Sequence, residues 1–136
     1  MSTFDLATLD CSRTAERGAV MTLAHPVNRQ PLADGEGKPI TITLAGQDSD
    51  VYRRAQRAIT DKRLALRGRA RLSAEDLEAE AVETLARCTL GWSGIVLDGK
   101  PLECGPASAR ALYQRLPWVR EQADEFIGDR GNYLGN

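Results

Sequence analysis

The sequence predicts an α+β fold, mainly α-helical: an N-terminal β-hairpin followed by about four helices, with a short turn segment between the second and third. Three observations predict it. Ile40-Thr41-Ile42-Thr43-Leu44 alternates strictly between aliphatic and threonine side chains, the period-2 pattern of a half-buried strand. Ser73 stands three residues before Asp76 at the head of an i, i+4, i+7, i+8, i+11 stripe, the pattern of a capped amphipathic helix. Pro106 and Pro117 each stand before a helical pattern, where the N–H that proline lacks would be unsatisfied anyway.

At 136 residues the default is one domain. A domain of that size buries roughly 65–70% of its unfolded surface, so it needs neither disulfide nor metal to fold. Residues 1–17 are polar with scattered small apolar groups and read as a short arm, with a strand or helical turn near Leu6–Leu9. Residues 18–46 form the hairpin. Its first strand is Ala19–Ala24, ended by His25-Pro26, because proline cannot donate to a ladder. His25 itself reads as an ordinary strand residue. Pro31, Asp34, Gly35, Gly37 and Pro39 make a long tip. The second strand is Ile40–Leu44, with Ile40, Ile42 and Leu44 inward. A two-stranded hairpin is marginal alone in water. It must lie on the helices or pair with another chain, which is a reason to expect a homo-oligomer.

Residues 47–130 read as helical. Asp48 or Ser49 caps a first helix running to about Leu66, with Tyr52, Ala55, Ile59 and Leu66 on one face and Gly68 as its stop. Ser73 caps the second, with Leu72 and Leu77 placed as a hydrophobic staple. Leu77, Ala81, Thr84, Leu85 and Cys88 form its core stripe, and Gly91 ends it. Asp98-Gly99 is a tight-turn signal between apolar residues. Pro106 opens a third helix reaching about Leu116. Pro117 opens a fourth, with Val119, Ala123, Phe126 and Ile127 on one side. Residues 131–136 are a tail, polar apart from Tyr133 and Leu134.

Several function classes are set aside by composition. Lys and Arg number 18 against 19 Asp and Glu, a formal charge of −1, which argues against bulk attraction to nucleic acid or membrane. No apolar run approaches the roughly 20 residues of a membrane helix. The opening Met1-Ser2-Thr3-Phe4 predicts no signal peptide. Three widely spaced cysteines and one histidine show no metal-ligand spacing, so reduced thiols and no cofactor are expected. No G-x-S-x-G, phosphate loop or H-E-x-x-H occurs, and no enzyme is expected.

Charge is nevertheless segregated. Val51–Arg71 carries eight basic residues and one acid, whereas Leu72–Glu83 carries five acids and no base. The two segments suit an antiparallel helical pair or a contact between subunits. Arg53, Arg54 and Arg57 are candidate partner-binding groups. The basic run also raises a small DNA-binding regulator as an alternative, which the adjacent acids and the lack of interleaved aromatics disfavour. Five of the seven aromatic residues lie in the last 45 residues. Trp92, Trp118, Phe126 and Tyr133 are candidates for the C-terminal core or for a partner surface.

The ordered motifs of the C-terminal half resemble a family. Gly91-Trp92-Ser93-Gly94-Ile95 and Leu97-Asp98-Gly99-Lys100-Pro101-Leu102 are followed by Leu112-Tyr113, by Trp118 through Gln122, and by Phe126-Ile127-Gly128-Asp129-Arg130-Gly131-Asn132-Tyr133-Leu134. These, with Ile40–Leu44, Gly46, Asp48-Ser49 and Tyr52, resemble the tail assembly chaperones of long-tailed bacteriophages with non-contractile tails, over about residues 18–134. The resemblance implies a small, mostly helical protein of the host-cell cytoplasm. It implies a partner, the tape measure protein, that is kept soluble and extended until tail tube protein displaces the chaperone. It implies absence from the mature virion and, in many members, a second, frameshifted length. A structural tail or head–tail connector protein is the nearest alternative.

Overall fold

The computed structural model describes residues 3–66 and 72–134. It is an α+β fold in which one small antiparallel sheet lies against packed helices. A 3-10 turn at Leu6–Leu9 matches the expected local structure, with Asp5 accepting from the Ala7 N–H at its start. The arm does not end there. Helix α1 (Ser12–Arg17) follows, and its Ala15 is buried, so the second half of the supposed arm is packed structure.

Strands β1 (Ala19–Thr22) and β2 (Thr41–Leu44) form the expected antiparallel hairpin, Ala19 opposite Leu44 and Thr22 opposite Thr41. The chain stays extended past β1, with the Leu23 N–H donating to Ile40 and an isolated bridge between Ala24 and Pro31. Ile42 and Leu44 are fully buried and Ile40 is half-buried, as the alternation predicts. His25 is a turn residue rather than a strand residue: its Nδ1 accepts from the N–H groups of Val27 and Asn28.

The hairpin is not alone. After α2 (Asp50–Leu66) and α3 (Ala74–Cys88), the chain turns directly into β3 (Thr89–Ser93), which pairs with the free edge of β2 to give the order β1-β2-β3. The expected helix end at Gly91 is therefore corrected to Cys88. Thr89 is already extended, and its hydroxyl is tied to the Leu85 carbonyl and to Tyr113 Oη. This third strand pairs one edge of the hairpin within the chain, and the hairpin's apolar side lies on the helices, the first of the two expected arrangements. Between Leu97 and Lys100 the Asp98-Gly99 turn has both φ angles positive, 52° and 78°, the two-residue type I′ turn. It joins the short strands β4 (Val96–Leu97) and β5 (Lys100–Pro101).

Ser49 heads α2: its Oγ accepts from the Tyr52 N–H and its carbonyl from the Arg53 N–H. Gly68, the expected stop of that helix, lies outside the described residues, as do Arg67, Arg69 and Arg71. The Ser73–Asp76 capping box at the start of α3 is present in both directions. The α3 stripe is partly different from the expected one. Thr84, Leu85 and Cys88 are buried, but Leu77 and Ala81 are exposed, while Val82 and Ala86 are buried. The packed arc of α3 thus turns toward α4 at its C-terminal end. Helices α4 (Pro106–Arg115) and α5 (Pro117–Gly128) begin on their prolines and bury Ala109, Leu112 and Tyr113, then Val119, Ala123 and Ile127. The main core joins Met21, Leu23, Ile42 and Leu44 of the sheet side to Val82, Leu85, Leu112, Tyr113, Val119 and Ile127 of the helices. Each such aliphatic side chain contributes about 1.5–3 kcal/mol of burial. A 3-10 turn at Arg130–Asn132 closes the chain, and Tyr133 of the expected polar tail is buried.

Candidate functional site

The positions singled out by residue type fall in four places, and no single concavity gathers them. Arg53, Arg54 and Arg57 are exposed on the N-terminal half of α2. Each folds back on local acceptors: Arg53 Nη2 donates to the Asp48 carbonyl at 2.8 Å, Arg54 Nη2 stands 2.5 Å from Asp50 Oδ2, and Arg57 Nη2 lies 3.9 Å from Asp50 Oδ1. Asp50 is in the first turn of α2, where a carboxylate is favoured by the helix dipole. The three guanidinium groups therefore form a solvated cationic face with one carboxylate beneath it.

Helices α2 and α3 do lie side by side and antiparallel, as the charge blocks suggested. Among the described residues only one ion pair joins the two blocks, Arg63 Nη2 to Glu80 Oε1 at 2.5 Å. Two more acids of α3 take cations from other helices. Arg110 of α4 grips Glu83 at 2.7 Å and Arg120 of α5 reaches Glu78 at 2.8 Å. Arg110 and, less strongly, Arg87 hold the Glu83 carboxyl below its ordinary range. The acidic block is thus tied inward by three helices and leaves the α2 arginines largely to solvent. Along one side of the α2–α3 pair runs a groove of ≈ 410 Å³, floored by Ala55, Ile59, Leu66 and Ala79 and rimmed by Lys62 and Glu80.

The aromatics serve the fold. Trp92 Nε1 donates to the Leu102 carbonyl at 2.7 Å, which pins the β4–β5 turn onto β3. Trp118, half-buried against the main core, walls an apolar groove of ≈ 390 Å³ with Leu23, Leu32, Ile40, Leu97 and Leu116. Phe126 and Tyr133 meet edge to face, ring centroids 5.8 Å apart at 74°. Tyr133 Oη donates to the Leu44 carbonyl at 3.0 Å, and burial pushes its phenol well up from the ordinary value.

Residue type alone did not single out three polar side chains that fasten the ends of the sheet. Gln122 of α5 donates to the Ala24 carbonyl and accepts from the Ala24 N–H, standing in for a neighbouring strand beside β1. Arg130 clamps the Asp48 carboxylate with Nε at 2.7 Å and Nη2 at 3.0 Å, and this pair, with the Cys11 thiol as a further donor, holds the Asp48 carboxyl below its usual range. Arg115 holds Asp98 in the same two-pronged way at 2.6 and 2.7 Å. No sequence pattern announces such pairs, because their members are 17 to 98 positions apart.

Cys11 and Cys88 are buried thiols and Cys104 is exposed. Among the described residues no group of three His, Cys, Asp or Glu side chains is placed to hold a metal ion, and no helix is long and apolar enough to cross a membrane. No protein-family model matches the chain, and no curated protein or solved structure was found to be similar to it.

Proposed function

We propose that this chain is a tail assembly chaperone of a long-tailed, non-contractile bacteriophage, acting in the host-cell cytoplasm to bind the tape measure protein and keep it soluble and extended while tail tube protein polymerises. The observation that carries the reading is the ordered set of motifs from Trp92 to Leu134. Their placement supports it in one respect. The quoted residues sit at the joints of the fold: Trp92 on Leu102, Gly94 at φ +82° against Ile40, Asp98-Gly99 in the I′ turn, Gln122 on Ala24, Arg130 on Asp48 and Tyr133 on Leu44. A holding chaperone also needs no bond-making centre. It needs exposed cationic and apolar faces that associate reversibly, and the α2 arginine face and the Trp118 groove are of that kind.

The test is co-expression with the tape measure protein of the same phage. The tape measure protein should move from the insoluble to the soluble fraction and co-purify with this chain, and mass spectrometry of purified virions should find the chain missing. A tape measure protein that stays insoluble and unbound overturns the reading. Stoichiometric recovery of this chain from virions would make it a structural tail protein instead.

A further inference from the structure

We propose that α1 and the C-terminal turn form a clasp that opens and closes as one unit, separately from the main core. The two segments share a small apolar cluster of their own, Cys11, Ala15 and Tyr133, flanked by the partly buried Ala19 and Phe126. Around it polar ties join α1, residues 44–50 and the last turn to one another, and the turn is bonded to α5 besides, by Asn132 Nδ2 donating to the Phe126 carbonyl at 3.0 Å. Tyr133 Oη donates to the Leu44 carbonyl, and the Gly46 N–H donates to the Ala15 carbonyl at 3.0 Å. Asp48 is gripped from both ends of the chain at once, by the Cys11 thiol at 3.2 Å and by Arg130. Glu16 caps α2 by accepting from the Asp50 N–H, and Gln47 Nε2 donates to the Gly128 carbonyl at 3.4 Å.

Neither segment has an independent source of order. Helix α1 has six residues with one of them buried, and the C-terminal turn is a three-residue 3-10 helix with none. Helices shorter than about 12 residues are marginal by themselves. Ala15 is covered by Tyr133 across Gly46, and Tyr133 is enclosed in turn by α1, so loss of either uncovers the other. Small clusters of this size open at lower free energy than the body of a domain. With the clasp closed Tyr133 is 2% exposed, so a partner anchored on it would reach it only in the open form. That last consequence, unlike the clasp, rests on the proposed function.

Hydrogen–deuterium exchange of the full chain, read by mass spectrometry, tests the clasp without any partner. Tyr133→Ala should speed exchange of residues 11–18 and 46–50 by about tenfold or more, while residues 82–88 and 109–113 keep their wild-type rates. Ala15→Asp should do the same to residues 128–134, the reciprocity expected of one unit. Should Tyr133→Ala fail to fold, Arg130→Gln decides, with the same pattern at smaller amplitude. No change in residues 11–18, or an equal rise throughout the core, overturns the proposal. Because no tape measure protein enters the measurement, this result and the solubility test succeed or fail independently.

Discussion

Gly46 occupies the tightest point of the chain's two-ended closure. A Cβ added there would stand 3.0 Å from the Ala15 Cβ and 3.1 Å from two ring atoms of Tyr133. Ala15 has no side-chain torsion with which to yield, and the Tyr133 ring is fixed by its bond to the Leu44 carbonyl. Gly46→Ala should therefore cost about 1–3 kcal/mol, the usual range for overpacking. It should lower the urea midpoint without changing the slope. Asp48, two residues on, gives a pH prediction. Arg130 first, then the Cys11 thiol, hold its carboxyl below the ordinary aspartate value. A group depressed on folding stabilises the native state above its unfolded pKa, and that contribution is lost as pH falls through the folded value. Asp48→Asn should be less stable than wild type at pH 7, and the gap should close as pH drops below about 4. Urea titrations at pH 7 and pH 3 measure it. A gap just as large at pH 3 as at pH 7 would mean that the loss came from packing and not from the carboxylate's charge.

At the scale of elements, α3 shows how far local pattern reaches. Its start was legible because a capping box is a contact between residues three apart, and the Ser73–Asp76 box is made as read. Its stripe was legible only in the second half. Periodicity fixes which residues share a face, but which part of that face is covered depends on α4 and α5, and they cover Val82, Leu85 and Ala86 rather than Leu77 and Ala81. Two substitutions on the one predicted stripe should accordingly diverge. Leu85→Ala should cost about 2–5 kcal/mol. Leu77→Ala should stay within about 0.5 kcal/mol, as is usual for exposed sites. Paired thermal melts check both, and equal losses would refute the observed facing of α3. Strand β3 was hidden for a related reason. No break residue separates Cys88 from Thr89, the first breaker being Gly91 inside the strand, and the strand character comes from pairing with β2 some 45 to 52 positions earlier. The turns at Asp98-Gly99 and the proline-led helices needed no such information, and both stand where they were expected. The candidate site was legible by residue type alone: arginine and tryptophan were picked out as kinds of anchor, whereas the grooves beside them arise only from packing.

Over the whole molecule, Glu78, Glu80 and Glu83 of α3 are paired with arginines of α5, α2 and α4, with Arg87 of α3 also on Glu83, while the N-terminal half of α2 keeps its cations outward. That asymmetry separates stability from association. Exposed ion pairs such as Arg54–Asp50 are worth about 0–1 kcal/mol. Reversing Arg53, Arg54 and Arg57 together to Glu removes such pairs and sets carboxylates at 54 and 57 against Asp50, a like-charge cost of about 0.2–0.5 kcal/mol per pair on an exposed helix face. The triple variant should therefore melt within a few degrees of wild type. If the proposed function holds and the partner is met by these three guanidinium groups, the variant's capacity to hold the tape measure protein in solution should fall. Salt discriminates the cause. Screening lengths shrink to about 8 Å at physiological ionic strength and about 3 Å at 1 M. Wild-type co-purification should weaken steadily between those conditions, whereas whatever binding the variant retains should be salt-insensitive and assignable to the apolar groove at Trp118. If the variant keeps full solubilising capacity at low salt, the arginine face makes no part of the contact, and substitution of Trp118 by Ala becomes the decisive probe of the remaining surface.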